Sequence, residues 1–142
     1  MLEVGDRLAH RALEALVRAE TAVRRDLAAE LEREGVSVAG FSALVVLTTA
    51  GGRLPLRTLR RRLGWSKPSA TEVTRTLESR GLVTRRRLPR DRRAAVVELR
   101  PAGVALVERL FPSHTSRVSR LFSTLDDGEK RSLTEICRKL AA

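Results

Sequence analysis

The chain has 142 residues, a hydrophobic content of 42% and a formal net charge of +11 at pH 7. A chain of this length is expected to form one domain with a core that needs no covalent staples. The single cysteine, Cys137, excludes an internal disulfide. No apolar run approaches the ~18 residues of a membrane span, and the N-terminus lacks a secretory pattern. We therefore expect a cytoplasmic protein with no membrane partner.

The positive charge is concentrated in the middle of the chain. Residues 53–93 hold thirteen arginines and Lys67 against three acidic residues, so this segment accounts for the whole net charge of +11. The residues on either side balance to zero. A localised basic block of this kind is typical of proteins that bind a polyanion such as nucleic acid.

Helical periodicity dominates the first half of the sequence. Apolar residues recur every three or four positions from Leu8 to Leu31, which predicts a first helix of more than twenty residues that ends near Gly35. One small core cannot fully bury the apolar face of a helix of that length, so we expect the helix to pack on a partner. Two shorter helices are predicted next, over the segments that contain "FSALVVL" and "LRTLRRRL", and Gly64 ends the second.

The stretch "WSKPSATEVTRTLESRG" predicts a fourth helix. Ser66 is a suitable N-cap, and Pro68 is tolerated in a first turn. Ala70, Val73 and Leu77 form the inward-facing stripe at helical spacing. The opposite faces carry polar side chains, namely Lys67, Ser69, Thr71, Glu72 and Arg75.

A two-stranded element is predicted to follow, with strands over residues 82–87 and 95–99. Between them lies the charged tip "LPRDRRA". Two short helices joined by a tight turn and followed by a β-hairpin are the arrangement of a winged helix-turn-helix. The stretch "RRRLPRDRR" would then be its wing.

The C-terminal third again predicts helices. Pro101 can begin a helix, and apolar positions with heptad spacing continue from Val104 to Leu125. Asp126 and Glu129 form a capping box for a last helix. On that helix Cys137 is expected to be a buried small hydrophobic residue.

Three stretches together resemble the MarR family of transcriptional regulators. "GWSKPSATEVTRTLESRGLVTR" is similar to the family's recognition helix and its run into the wing. Asp91-x-Arg93, followed by "VVELRPAGVAL", matches the wing-tip signature. "LVERLFPSHTSRVSRLFSTLDDGEKRSLTEICRKL" is similar to the family's last two helices. The resemblance implies a mainly α fold with a small two- or three-stranded β-wing, that is, a winged helix-turn-helix with long terminal dimerisation helices.

The resemblance also implies the domain organisation and the partners. Residues 1–142 would form a single MarR-like domain, with residues 1–35 and 101–142 as dimerisation helices and residues 36–100 as the winged helix-turn-helix lobe. The partners would be double-stranded DNA, a second copy of the chain and a small, often aromatic or phenolic, effector. The resemblance implies that the effector binds between the dimerisation helices and the DNA-binding lobe, at residues that are unknown. The predicted dimer interface comprises Leu8, Ala12, Leu16, Val118, Leu121, Leu133, Ile136 and Leu140.

The predicted DNA-binding residues lie on the recognition helix and the wing. They are Ser66, Lys67, Pro68, Ser69, Thr71, Glu72, Arg75, Arg87, Arg90, Asp91, Arg92 and Arg93. The family usually carries an arginine at position 72 and often an acidic residue at position 75, so Glu72 and Arg75 look exchanged. Glu72 could accept a hydrogen bond from a cytosine amino group or form a surface ion pair with Arg75. Asp91 would either hold a neighbouring arginine in place or serve as a turn residue.

The sequence thus predicts a homodimeric, sequence-specific repressor that binds a pseudo-palindromic operator and is released by an effector. The alternative is a weakly specific or architectural nucleic-acid-binding protein, and a third hypothesis is a module that docks an acidic protein. The chain contains no P-loop, G-x-S-x-G or CxxC motif, so we expect no enzyme. His10 and His114 lack metal-site spacing, so no metal and no cofactor are expected.

Overall fold

The computed structural model describes the backbone of residues 1–142 and every side chain except those of Arg92 and Arg93. Two compact units are formed, by Met1–Phe111 and by Pro112–Ala142. The elements in chain order are α1 (Arg7–Arg33), α2 (Val38–Thr49), β1 (Arg53–Pro55), α3 (Leu56–Leu63), α4 (Lys67–Ser79), β2 (Val83–Leu88), β3 (Asp91–Leu99), α5 (Pro101–Leu121) and α6 (Asp127–Ala141). The predicted mainly α chain with a small β-sheet is confirmed.

The first helix, α1, is held at its start by a side-chain cap. The Asp6 carboxylate accepts hydrogen bonds from the backbone N–H groups of Leu8 and Ala9 at 2.9 and 3.1 Å, which satisfies donors that a helix start leaves unpaired. Among the described residues of α1, only Leu31 is buried. The N-terminal half of this long helix therefore exposes its apolar face, as expected for a helix that one small core cannot cover.

The core of the first unit is built around α2. Ser37 caps this helix by accepting a hydrogen bond from the Gly40 N–H at 2.9 Å. Phe41, Ala43, Leu44 and Leu47 are all buried, because α2 is apolar on every face and neighbouring elements cover it. The other members of the buried cluster come from α1, α3, α4, β2, β3, the first half of α5 and the turns before α2 and β2, namely Leu31, Val36, Leu59, Leu77, Leu82, Val83, Val97, Leu106, Val107 and Leu110.

The helices α3 and α4 form the predicted helix-turn-helix. Gly64 ends α3 with a φ of 68°, a left-handed conformation that glycine adopts without steric cost. The chain reverses there, and the Trp65 N–H donates to the Arg60 carbonyl oxygen at 3.1 Å. Ser66 then caps α4, with Pro68 in its first turn. The N-cap and the position of this proline are both as the sequence predicts.

The sheet has three antiparallel strands in the order β1-β3-β2, which confirms the two- or three-stranded wing that the resemblance implies. The short strand β1, which was not predicted from the residues alone, pairs Arg53 with Glu98. The tip was predicted to be the loop 88–94, which is wrong: β2 reaches Leu88 and β3 begins at Asp91. A two-residue reversal at Pro89-Arg90 suffices, since proline fixes the backbone for a tight turn and exposed strands tolerate charged side chains.

The C-terminal helices confirm one prediction and correct two. Asp126 and Glu129 form the capping box, with mutual hydrogen bonds of 2.8 and 3.0 Å. Asp126, as an N-cap, takes an extended backbone with ψ at 173°. The heptad spacing predicted one continuous helical face from Val104 to Leu125. The helix α5 ends earlier, at Leu121, so Leu125 lies outside it. The predicted burial of Cys137 is also wrong in the single chain, because Cys137 is exposed and none of the described residues of α6 is buried.

Within the described chain, no helix is both long and apolar enough to cross a bilayer.

Gly103 fixes how closely the start of α5 approaches the wing. It is buried, and a Cβ at this position would overlap the Leu82 carbonyl oxygen, which also accepts a hydrogen bond from the Arg100 N–H at 3.0 Å. A helix that packs against another segment's backbone at this distance requires glycine.

We predict that Gly103→Ala lowers the free energy of unfolding by about 1–3 kcal/mol, because the overlapping atom is backbone and cannot rotate away. Alanine has the higher helix propensity, so any loss must come from this overlap. Urea denaturation followed by circular dichroism measures the change. The matched control is Ala105→Ser on the exposed side of α5, for which we expect a change below ~0.5 kcal/mol. Equal stability of Gly103→Ala and the wild type would contradict this packing.

Candidate nucleic-acid interface

The exposed face of α4 carries most of the residues predicted to bind DNA. Ala70, Thr74 and Leu77 are buried against the core. Lys67, Ser69, Glu72 and Arg75 are exposed, with Thr71 half-buried beside them. The burial of Thr74 was not predicted, and its hydroxyl is satisfied by donating to the Ala70 carbonyl at 2.6 Å. The inward stripe thus includes one polar residue that periodicity of apolar types cannot identify.

The N-terminus of α4 gathers short hydroxyl side chains. The Ser66 hydroxyl donates to the Ser69 hydroxyl at 2.9 Å and accepts from the Ser69 N–H at 3.2 Å. Thr71 donates to the Lys67 carbonyl at 3.1 Å. These bonds hold the side chains in place and leave further donor and acceptor capacity on Ser69. A helix N-terminus with ordered hydroxyls and an adjacent lysine is suited to a phosphate group.

The two predicted roles of Glu72 differ in whether it pairs with Arg75. The ion pairs of the described side chains include Arg24–Glu20, Arg86–Glu98, Arg109–Glu34 and Lys130–Asp127. Glu72 and Arg75 do not form one, although both are exposed. The carboxylate of Glu72 therefore remains available on the surface of α4.

The wing is tied to the end of α4 by two hydrogen bonds that backbone N–H groups donate. The Leu82 N–H donates to the Leu77 carbonyl at 3.0 Å, and the Arg85 N–H donates to the Glu78 carboxylate at 3.1 Å. Arg86 is paired across the sheet with Glu98 at 3.1 Å. Arg87 and Arg90 are exposed near the tip. Arg85 and Arg86 therefore occupy a defined position with respect to α4.

The hairpin tip is irregular on the β3 side. The pairing advances by one residue on β2, from Arg87 to Leu88, while the partner on β3 changes from Ala95 to Asp91. Asp91 is exposed, so it remains a candidate residue at the tip. The predicted contacts of Arg92 and Arg93 lie outside the described side chains.

A groove of about 390 Å³ separates α4 from the wing. It is lined by Pro55, Leu56, Arg57, Arg60, Lys67, Ala70, Thr71, Leu88, Asp91, Ala94 and Ala95. The fold thus brings Lys67, Thr71 and Asp91 of the predicted site together. Arg57 and Arg60 of α3 also line this groove. Their helical spacing relative to Leu59 and Leu63 already predicts that they lie on the outer faces of α3.

A second cavity, of about 630 Å³, lies on the other side of α4. Its walls come from α1, the α1–α2 turn, the start of α2, and α4 with its C-cap, namely Arg24, Ala28, Glu32, Gly35, Val36, Ser37, Val38, Ala39, Gly40, Glu72, Val73, Thr76, Leu77 and Arg80. The floor is apolar, and the rim holds two arginines and two glutamates. We call it the α1–α4 cavity. Among the described residues, no group of three His, Cys, Asp or Glu side chains could hold a metal ion.

Comparisons with known proteins identify this arrangement. A family model described as MarR family matches residues 36–95. The HTH-type transcriptional regulator MhqR of Bacillus subtilis is 25% identical over 125 residues, which are 88% of this chain and 86% of that protein. The transcriptional repressor MprA of Escherichia coli is 31% identical over 78% of this chain and 63% of its own length.

A solved structure agrees over nearly the whole chain. It is a MarR family transcriptional regulator from Streptomyces coelicolor in complex with DNA, with a TM-score of 0.84, 26% sequence identity, and coverage of 99% of this chain and 88% of that chain. Residues 36–95 of the chain form a MarR family domain. The winged helix-turn-helix fold predicted from the sequence is thereby confirmed.

The MarR family domain indicates the general activity of the chain. The chain is a transcriptional regulator that binds DNA, and not an enzyme, because the family model and the relatives are those of transcriptional regulators. The recognition helix of this MarR domain is α4, and its wing is the hairpin of β2 and β3. The roles of individual residues in DNA binding go beyond these comparisons.

Proposed function

We propose that the chain is a homodimeric repressor that binds a pseudo-palindromic operator and is released by a small effector. The observation that carries this proposal is the exposed basic face of α4 beside the wing. Lys67 and Arg75 on α4 and Arg87 and Arg90 on the wing are all exposed, and they belong to the segment that holds the whole net charge of +11. A basic helix next to a basic hairpin complements the phosphates that border a DNA groove.

In this proposal α4 reads the major groove, which is wide enough to admit a helix. Ser66, Lys67, Pro68 and Ser69 sit at its N-terminus, where backbone amides and hydroxyls favour phosphate. Thr71, Glu72 and Arg75 would face the bases. The wing would place Arg87, Arg90 and Asp91 near the minor groove, together with Arg92 and Arg93 on sequence grounds. Arginine suits the negative potential of a narrow minor groove.

Glu72 would determine base preference within this contact set. A carboxylate that faces DNA is repelled by the phosphates, so it weakens binding unless it gains a specific partner. The amino group of cytosine is the donor that a carboxylate can accept from in the major groove. The absence of an ion pair between Glu72 and Arg75 among the described side chains supports this role over the surface ion pair.

Selection of duplexes from a random pool by the purified chain tests the proposed function. We expect a consensus with two inverted half-sites about 10 bp apart, since a two-fold dimer presents two recognition helices to successive major grooves. Its affinity should exceed that for a scrambled duplex by ~10³ or more. A pool without a consensus would show instead a weakly specific or architectural binder.

The same selection with Glu72→Gln tests the role of the carboxylate. We expect higher affinity for scrambled DNA and a relaxed preference at one or two positions of each half-site. Glu108→Gln is the control, because it makes the same change in charge at an exposed position of α5. If the consensus of Glu72→Gln is identical to that of the wild type, Glu72 does not read a base.

Exposed apolar side chains on the terminal helices support the homodimer. Leu8 and Leu13 on α1 are 74% and 58% exposed, and Ile136 and Leu140 on α6 are 63% and 69% exposed. Apolar patches of this extent mark interaction surfaces. The proposed interface comprises the eight predicted residues, and residues 1–35 and 101–142 are proposed as dimerisation segments around the lobe 36–100. Leu13 and Val17 are exposed beside them and extend the proposed surface.

We predict that Leu13→Ala with Leu16→Ala raises the dissociation constant of the dimer about 100-fold, because buried interface side chains each contribute more than ~1 kcal/mol. Sedimentation equilibrium measures this constant. Arg11→Ala with Arg18→Ala is the matched control, since these residues lie on the opposite face of α1. A wild-type chain that is monomeric at micromolar concentration would rule out the homodimer.

The effector is proposed to bind in the α1–α4 cavity. Its volume of about 630 Å³ lies in the range of small-molecule sites, and Glu72 and Arg80 of the recognition helix line it. An effector would release DNA only if it binds the two conformations with different affinity. A screen of small aromatic acids and phenols tests this proposal. Release of the selected operator is measured as a fall in the fluorescence anisotropy of the labelled duplex.

A further inference from the structure

The Glu78 carboxylate lies where a negative charge is unfavourable. It belongs to the last turn of α4 and is half-buried. A carboxylate in that turn is repelled by the negative end of the helix dipole. Glu78 is also one of three acidic residues in the basic segment 53–93, so it weakens the attraction of this segment to DNA. An advantage of this residue must therefore come from a specific contact.

That contact is made with the outer edge of the wing. The strand β2 lies at an edge of the sheet, because the strand order is β1-β3-β2. An edge strand leaves part of its backbone N–H groups without partners in the sheet. The Glu78 carboxylate accepts a hydrogen bond from one such group, the Arg85 N–H, at 3.1 Å. The bond joins the end of α4 to the strand that leads to the wing tip.

The bond lies at the level where the wing begins to project from the lobe. The buried Val97 of β3 is opposite Leu54 of β1 on one side and opposite Arg85 of β2 on the other. The strand β1 contributes three residues to the sheet. Beyond them the pairing continues towards the tip between β2 and β3 alone. The base of the wing is thus held at both edges, by β1 on one side and by Glu78 on the other.

A contact at the base controls the position of the tip. Pro89, in the turn of the hairpin, is four residues beyond Arg85, which corresponds to about 13 Å of extended chain. A swing of the hairpin by roughly 15° about its base would move the tip by ~3.4 Å, about the distance between successive nucleotides of a strand. The arginines near the tip would then meet a different nucleotide while α4 stayed in place.

We propose that Glu78 is a positioning residue for DNA binding, whose carboxylate fixes the direction in which the wing projects from α4. With this direction fixed, α4 and the wing tip engage neighbouring grooves at the same time, and the wing does not have to be ordered when DNA binds. The inference rests on the proposed function for the contact of the wing with the minor groove. Glu78 itself does not contact DNA in this arrangement.

Two substitutions at position 78 separate the hydrogen bond from the charge. Glu78→Ala removes both, whereas Glu78→Gln removes the charge and keeps an oxygen that can accept the Arg85 N–H. Loss of a negative charge near DNA would by itself raise the affinity of both variants. We expect instead that Glu78→Ala binds the selected operator about 5- to 25-fold more weakly, for a bond lost in one or both subunits. Glu78→Gln should bind at least as tightly as the wild type, as measured by fluorescence anisotropy.

A shortened operator shows whether the effect passes through the wing. This duplex keeps the two inverted half-sites and lacks the flanking base pairs that the wings would cover. The wild type and Glu78→Ala should bind it equally. A loss for Glu78→Ala on the shortened duplex would place the effect in α4, and an equal loss for Glu78→Gln on the full operator would assign it to charge. Either result overturns the proposal, as does an unchanged affinity of Glu78→Ala for the full operator.

Glu108→Ala is the matched control, because it makes the same change at an exposed position of α5. It should bind both duplexes as the wild type does. Circular dichroism verifies that the variants are folded. Glu78→Asp, whose carboxylate is one methylene shorter, takes the place of Glu78→Ala if that variant unfolds. We expect the same loss for Glu78→Asp, because its carboxylate is too short to accept the Arg85 N–H.

Amide hydrogen exchange in the absence of DNA separates this proposal from the proposed function. Exchange of the Arg85 N–H, followed by NMR, should be at least ~10-fold faster in Glu78→Ala than in the wild type, and unchanged in Glu78→Gln. Equal rates in Glu78→Ala and the wild type would overturn the proposal. If exchange responds as expected but the wild type binds the full and shortened operators equally, the minor-groove role of the wing fails. The contact by which Glu78 holds the hairpin is then retained.

Discussion

The burial of α2 is the interaction on which the DNA-binding surface depends. Phe41, Leu44 and Leu47 are fully buried, and α3, α4 and the strands contribute residues to the same cluster. Burial of a large apolar side chain contributes roughly 1.5–3 kcal/mol, so these residues fix three short elements that would not be stable alone. The charged side chains of α3, α4 and the wing can then be exposed together, although they repel each other.

The chain separates its charge from its apolar surface along the sequence. The basic block from Arg53 to Arg93 lies on short elements around the apolar core. The segments outside this block, which together carry no net charge, expose leucine, isoleucine and valine on the terminal helices. In the proposed function the two surfaces have different partners, DNA and a second copy. The hydrogen bond from the Arg85 N–H to the Glu78 carboxylate ties the start of the wing to the end of α4, the two elements that face DNA in the proposed function.

Local signals in the sequence predicted most of the helices. The N-cap at Ser66, the helix end at Gly64 and the capping box of Asp126 and Glu129 each depend on residues within four positions of one another. The strand β1 could not be predicted in this way, because its three residues pair with residues more than forty positions away. The tip was predicted too long because its charge was taken as a sign of a loop, while a two-residue turn leaves charged residues in strands.

The candidate site was predictable where it depended on helix periodicity and not where it depended on tertiary packing. The exposure of Lys67, Glu72 and Arg75 follows from their position opposite Ala70 and Leu77. The burial of Thr74 and the shared groove of Arg57 and Lys67 arise only when α3, α4 and the wing come together. Cys137 was predicted as buried from its apolar neighbours, but α6 packs no described residue into the interior of a single chain.

The central claim is that the excess charge of this chain is directed at DNA phosphates. The salt dependence of operator binding tests it most directly, because each phosphate contact releases counterions. About four phosphate contacts per subunit give about eight in a dimer. They predict a slope of log affinity against log salt of about −7. A slope shallower than about −3 would mean that most of the basic block faces away from DNA, and the assignment of "RRRLPRDRR" as a DNA-binding wing would be wrong.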